Sequence, residues 1–201
     1  MAKIKLTKSE LKAQRDALKQ FTRYLPTLQL KKQQLQMEMR DCEERMKKNL
    51  DAEKEVRNKL LSWVQLFGTT NTVEVLTKTV SLEKIDTERT NIAGVDVPVY
   101  KEAIFNVSDY NLFETDYWFD EAIAIIKRVI EIRAEYKIIK EQRDLIAKEL
   151  RTTTQRVNLF EKVKIPECKE NIRTIQIYLG DQQTAAVGRS KIAKRKMEEV
   201  A

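Results

Sequence analysis

The stretch WFDEAIAIIKRVIEIRAEYKIIKEQRDLIAKELRTTTQRVNLFEKVKIPECKENIRTIQIYL, residues Trp118 to Leu179, decides how this chain folds. Its apolar residues recur every seven positions on two interleaved ladders. One is Ile125, Ile132, Ile139, Ile146, Thr153 and Phe160. The other is Ala122, Val129, Tyr136, Leu150 and Val157, interrupted by Arg143. A helix advances about 100° per residue, so such a heptad lays a narrow apolar stripe along one side and leaves charge elsewhere. A narrow stripe needs a partner helix of similar length, and the opening third of the chain offers one.

That first run begins at a capping-box pattern, Thr7-Lys8-Ser9-Glu10, in which a hydroxyl and a carboxylate can each satisfy an unpaired amide. Leu11, Leu18 and Leu25 form one ladder, and Phe21, Leu28, Leu35 and Cys42 the other. The stripe then drifts through Met39, Met46, Leu50, Val56, Leu60, Val64 and Phe67. Pro26 removes an amide inside this run, so a bend is expected there, with a break into two helices as the alternative. Gly68-Thr69-Thr70-Asn71-Thr72 reads as a stop. At ~1.5 Å per residue, helix from Thr7 to Phe67 spans ~90 Å.

Between the two helical runs the composition changes. TVEVLTKTVSL and NIAGVDVPVY alternate in the manner of short strands, and Pro98 suits an edge strand. The expectation is a β-hairpin over roughly residues 78–100. Tyr110, Phe113, Tyr117, Trp118 and Phe119, with Trp63 and Phe67, are expected to form a small satellite core near this looped end. The second helix is expected to start at Thr115 or Asp116, with Asp120 and Glu121 near its positive dipole end. Pro166 interrupts it, but the spacing resumes at Cys168, Ile172, Ile175 and Leu179, so a kink is expected. Gly180 and Gly188 weaken the helix beyond that point, and the tail should fray.

The fold class is therefore mostly α: a long antiparallel two-helix coiled coil with a small β-hairpin in the connection. Residues 1–68 supply the first helix, 69–116 the connecting segment, and 117–201 the second helix and a basic tail. The expected interhelical core includes Leu18, Phe21, Leu28, Leu35, Ile139, Ile146, Val157, Phe160 and Ile172.

Composition agrees: of 201 residues 34% are charged, with only four Gly and three Pro, which suits long helices and argues against a sheet-rich globule. No apolar run approaches the ~20 residues of a membrane span, and no signal-peptide segment is evident. Two cysteines without a framework pattern fit a reducing, cytoplasmic setting. Antiparallel pairing is expected to set Cys42 opposite a residue near 150, not Cys168, so no disulfide is expected, and both read as small buried hydrophobes.

Charge follows the same axis. Residues 1–25 hold seven Lys or Arg against two acids, net +5, and residues 186–201 hold five against two, net +3. Residues 73–121 hold four against eleven, net −7. A hairpin gathers both cationic segments at one end, which suits different partners at the two ends. The chain has no His, which excludes a histidine general base, a Ser-His-Asp arrangement and imidazole metal ligation. Two cysteines cannot build a structural zinc site by themselves. The Gly180…Gly188-Arg189-Ser190 spacing is wrong for a phosphate loop, and Arg stands where such a loop needs Lys. The candidate contact residues at the cationic end are Lys3, Lys5, Lys8, Lys12, Arg189, Ile192 and Arg195. Lys3, Lys5, Lys8, Lys12, Arg189, Lys191, Lys194, Arg195 and Lys196 could neutralise phosphates, but no aromatics interleave with them to stack bases.

RVNLFEKVKIPECKENIRTIQIYL, Arg156 to Leu179, resembles the signature of the D subunits of V-type and archaeal-type ATPases and ATP synthases: Arg-Val-Asn, then Ile-Pro, then spaced isoleucines before a leucine. NIAGVDVPVY, Asn91 to Tyr100, is similar to that family's central hairpin, and Leu6 to Leu35 to its opening helix. Pro26 and the glycine-punctuated tail depart from the family pattern. The resemblance implies a noncatalytic central-stalk axle without a cofactor, its paired helices projecting into a hexamer of catalytic A and noncatalytic B subunits. The F subunit of the central stalk would bind alongside, and the loop end would sit on the socket C subunit (also called d) above the membrane ring. The location it implies is cytoplasmic and peripheral to the membrane, with neither nucleic-acid binding nor membrane insertion. A static coiled-coil scaffold and a basic nucleic-acid-binding coiled coil remain as alternatives.

Overall fold

A computed structural model describes residues 4–61, 79–110 and 118–200 of the chain. The order of elements is α1 (Lys8–Leu61), β1 (Val80–Ile92), β2 (Val95–Val107), α2 (Phe119–Leu159), a π-helical turn (Phe160–Lys164) and α3 (Ile165–Val200). The expected stop at Gly68–Thr72, the aromatics Trp63, Phe67, Phe113 and Tyr117, and the expected start at Thr115 or Asp116 lie outside the described residues. So does Lys3.

Helix α1 runs 54 residues, about 80 Å at ~1.5 Å per residue. The Glu10 amide donates to Thr7 Oγ1 (3.3 Å) and the Leu11 amide to the Thr7 carbonyl (3.0 Å), so Thr7 caps the helix. The Glu10 carboxylate accepts from Gln14 Nε2 at 2.9 Å. Pro26 lies inside an unbroken helix, its ring on the exposed side. The Thr22 carbonyl, left without the amide that a non-proline residue would supply, is thus turned toward solvent.

The two strands pair antiparallel from Val80↔Val107 to Ile92↔Val95. The sequence NIAGVDVPVY is not a continuous strand, as the alternation suggested; it contains the turn. Ala93 (φ 49°) and Gly94 (φ 80°) are both left-handed, the signature of the tight hairpin turn whose twist matches that of the strands. The hairpin consequently extends to Val107 rather than ending near residue 100. Asn91 fastens the turn: its Oδ1 accepts from the Gly94 amide (3.0 Å) and its Nδ2 donates to Asp96 Oδ1 (2.6 Å). Pro98 pairs with Arg89 on a two-stranded ribbon, where every strand is an edge and a missing donor is tolerated.

The chain divides into two compact units. One comprises residues 33–151, the other residues 1–32 with 152–201. The first contains two apolar clusters. At the base of the hairpin, Val80, Trp118, Phe119, Ala122 and Ile123 are buried together, with Phe105, Tyr110, Ile126 and Ile130 against them. Tyr110 packs against Phe119 with the rings tilted (5.0 Å between centroids) and donates its hydroxyl to Asp120 Oδ1 at 2.6 Å. The second cluster is Leu35, Cys42, Val97, Ile139 and Ile146, flanked by Met39, Met46, Ile92, Ala93, Val95 and Leu150. The hairpin turn is therefore packed onto α1 and α2. A pair of helices alone covers each core residue from one side only. The hairpin supplies the third side, so Leu35 and Ile146 reach zero exposure there.

Cys42 meets Gln142, Ile139 and Ile146, not a residue near 150 as counting along the chain suggested. The rung Leu35–Cys42 sets this register by pairing with the rung Ile139–Ile146, which distance from the chain ends does not determine. Both cysteines are buried free thiols.

In the other unit Phe21 packs against Phe160 with the rings tilted (5.0 Å between centroids), and Asn171 Nδ2 donates to Gln14 Oε1 (3.4 Å), again an antiparallel pairing. The interruption before Pro166 takes the form of a π turn, closed by the Ile165 amide on the Phe160 carbonyl. One extra residue in this turn converts the sevenfold step from Phe160 into the eightfold step to Cys168, so Cys168 and Ile175 are buried where an unbroken heptad would have presented Glu167. Beyond it, α3 continues through Gly180 and Gly188 to Val200. Good helix formers surround them, among them Ala185, Ala186 and Ala193.

Candidate functional site

Both cationic segments belong to the unit formed by residues 1–32 and 152–201. Lys8 opens α1, and together with Leu179, Gln182, Gln183, Ala186 and Arg189 of α3 it lines an open groove of about 390 Å³. Lys8 and Arg189, far apart in sequence, are thus brought to one place. Lys5 and Lys12 are exposed. From Gly180 onward every described side chain is exposed, including Val187, Ile192 and, at 76%, Met197. Arg195 pairs with Glu199 (3.4 Å) and Lys194 with Glu198 (3.7 Å), solvent-facing contacts that contribute little to stability. What this end offers chemically is a cationic helix with apolar residues between its charges. It suits a surface of carboxylates and apolar side chains.

The residues expected between the helices separate by unit. Leu35, Ile139 and Ile146 form one buried cluster beneath the hairpin. Val157 is buried (3%) in the other unit, where Leu18, Phe21, Leu28, Phe160 and Ile172 are half-covered, as a bare helix pair dictates. Arg143, the interruption in the ladder, is half-buried and donates Nε to Asp144 Oδ1 at 3.0 Å.

One node escaped the sequence reading. Gln142 is 2% exposed, with its Oε1 accepting from Arg45 Nη2 (3.3 Å) and its Nε2 donating to the Pro98 carbonyl. Arg45 also reaches Cys42 Sγ at 3.3 Å. A single amide therefore ties α1, α2 and β2 together. The signal was a glutamine three residues after Ile139 and four before Ile146, on the apolar side of a helix. Burial pushes the Cys42 thiol above its ordinary range, against the opposing pull of Arg45, and burial does the same at Cys168. Among the described residues, no group of three or more Cys, Asp or Glu is placed to hold a metal ion.

Comparison with known proteins adds to this geometry. The profile of the family described as the ATP synthase D subunit matches residues 10–195. The V-type ATP synthase D subunit of Borreliella burgdorferi is 51% identical over 96% of this chain and 95% of its own length. The V-type ATP synthase D subunit of Chlamydia felis is 32% identical over 98% of this chain and 95% of its own, and that of Chlamydia muridarum 32% over 98% of each.

Proposed function

The chain belongs to the family of ATP synthase D subunits, and from that premise we propose that it is the noncatalytic central-stalk rotor of a V-type ATPase or ATP synthase. In this role it transmits torque between a catalytic A and noncatalytic B hexamer and the ion-translocating ring in the membrane. The observation that carries the reading is the near-complete match, at 51% identity, to a protein named as a V-type ATP synthase D subunit. The structure is consistent with it. A paired helix can bear torque, and the exposed side chains of Lys5, Lys8, Lys12, Arg189, Ile192 and Arg195 would be enclosed by a sleeve of other subunits. The F subunit would lie alongside, and the socket C subunit above the membrane ring would receive the segment that carries the hairpin. None of the described helices is long and apolar enough to cross a membrane, so attachment would run through those partners.

An axle and a static scaffold differ in whether contacts at the cationic end must break in each cycle. Ile192 is 55% exposed and the two native thiols are buried, so a cysteine at position 192 can be bridged selectively to one placed on its nearest hexamer neighbour. In the assembled complex, closing that bridge should stop sustained ATP turnover, leave nucleotide binding intact, and be reversed by reduction. Full turnover with the bridge complete overturns the rotor reading and leaves the scaffold. A nucleic-acid role finds no specific support in the cationic end.

A further inference from the structure

The hairpin is long but fastened only near its two ends. Of the residues in β1 and β2, only Val80 and Val97 are buried. Val80 sits at the root, in the cluster with Trp118, Phe119, Ala122 and Ile123. Val97 sits near the turn, against Leu35, Cys42, Ile139 and Ile146. At ~3.3 Å per residue these anchors lie roughly 30 Å apart along the ribbon.

Between the anchors the ladder is irregular. Leu82 pairs with Phe105 but Lys84 with Ile104, so Glu83 has no residue opposite. Asp86 pairs with Glu102 but Thr87 with Tyr100, so Lys101 has none either. Each strand thus carries a bulge, separated only by the rungs from Lys84–Ile104 to Asp86–Glu102. A bulge interrupts the ladder and lets its strand bend. The Lys84–Asp86 ion pair in this stretch faces solvent and stiffens it little.

The far end is held by little more than Val97 and the bond from Gln142 Nε2 to the Pro98 carbonyl. Beneath the turn a gap of about 290 Å³ separates Asn91, Ile92 and Ala93 from Gln34 and Glu38 of α1. Ala93 is also left-handed without being a glycine, a conformation that persists only while its surroundings impose it. Few buried contacts, an interrupted ladder and a strained turn mark an element of low local stability.

We infer that residues 87–100 form a latch, which swings on the bulged segments 83–86 and 101–104 while the root stays packed. Closed, the latch covers Cys42, Ile139 and Ile146. Open, it bares them without separating α1 from α2. Every part of it belongs to the unit of residues 33–151, and it does not require that the chain rotate.

The Cys42 thiol reports the opening, with Cys168 in the other unit as the control. The full chain is treated with iodoacetamide, and each thiol is followed by peptide mapping. A swing of the latch exposes little surface, so below the unfolding transition the Cys42 rate should barely depend on urea. To hold the latch shut, Gln34→Cys and Ile92→Cys, on opposite sides of the gap, are joined by one equivalent of a short bismaleimide. Joining should slow Cys42 about tenfold relative to the same variant unjoined, and leave Cys168 unchanged. Both measurements use one variant, so any stability lost to the substitutions cancels. The tether links the hairpin to α1 alone, so parting of α1 from α2 would escape it. A Cys42 rate as steeply urea-dependent as global unfolding, or one that the tether leaves unchanged, overturns the inference.

Discussion

At the scale of single residues the most consequential side chain is Gln142, a polar group on an apolar stripe. Its carboxamide has two jobs, to accept from Arg45 and to donate to Pro98, and both partners lie in other elements. Gln142→Leu keeps the volume but leaves the Pro98 carbonyl without its donor, so the chain should lose roughly 1–3 kcal/mol in chemical denaturation. The same variant should speed labelling of Cys42, because the hairpin that covers this thiol loses its polar anchor. Val157 has no such subtlety. It is 3% exposed, and Val157→Asp buries a charge without a partner, which should cost roughly 2–4 kcal/mol and lower the melting point. An unchanged melting curve would place Val157 on the surface and the register in error. The thiols add a pH dependence. Folding raises both thiol pKa values, so the folded chain keeps protons that the unfolded chain gives up. Their contribution is fully present below the ordinary thiol range of about 8.5 and is lost as pH climbs from there through the raised folded values. Denaturation midpoints measured across that window should fall with pH, and less steeply in a chain with Cys42→Val.

At the scale of elements, the helices were legible and the hairpin only half so. The ladders from Ile125 to Phe160 and from Leu11 to Cys42 named the facing sides of the helices, because heptad spacing is a property of one helix read alone. The hairpin turn was missed because Ala93-Gly94 lacks the asparagine that usually announces a tight turn of this hand; its support comes from Asn91, two positions earlier. Where the hairpin packs was not legible at all. That Val97 would cover Cys42 is a contact between distant segments, and alternation in a strand says which residues share a face but not what they face. The turn geometry makes its own prediction. Gly94 sits at φ 80°, so Gly94→Val forces a β-branched residue into the left-handed region and should destabilise the chain by roughly 1–2 kcal/mol. Because the turn packs on the second cluster, the loss should appear in the same unfolding transition as that of Gln142→Leu.

At the scale of the whole molecule, the final turns of α3 have little to do with holding the fold. Beyond Leu179 the described side chains are all exposed, and Gly180 and Gly188 have no neighbouring atoms that a Cβ would touch. This segment has all its described side chains exposed and carries five basic residues from Arg189 to Lys196, so most of its surface is open to partners. This was legible in the sequence only as charge, since composition shows a basic tail but not that its helix continues without a covering element. Deleting residues 181–201 should therefore leave the unfolding free energy of the isolated chain within about 0.5 kcal/mol of its original value, as expected for surface changes away from packed sites. The assembled complex should respond differently. If this end is the part of the axle held by the hexamer, the shortened chain should lose salt-sensitive affinity for the hexamer and reduce ATP turnover coupled to ion transport. Both measurements are needed. A truncated chain that unfolds much earlier would mean the tail packs against its own molecule, and undiminished hexamer affinity with full coupling would assign the grip to another part of the chain.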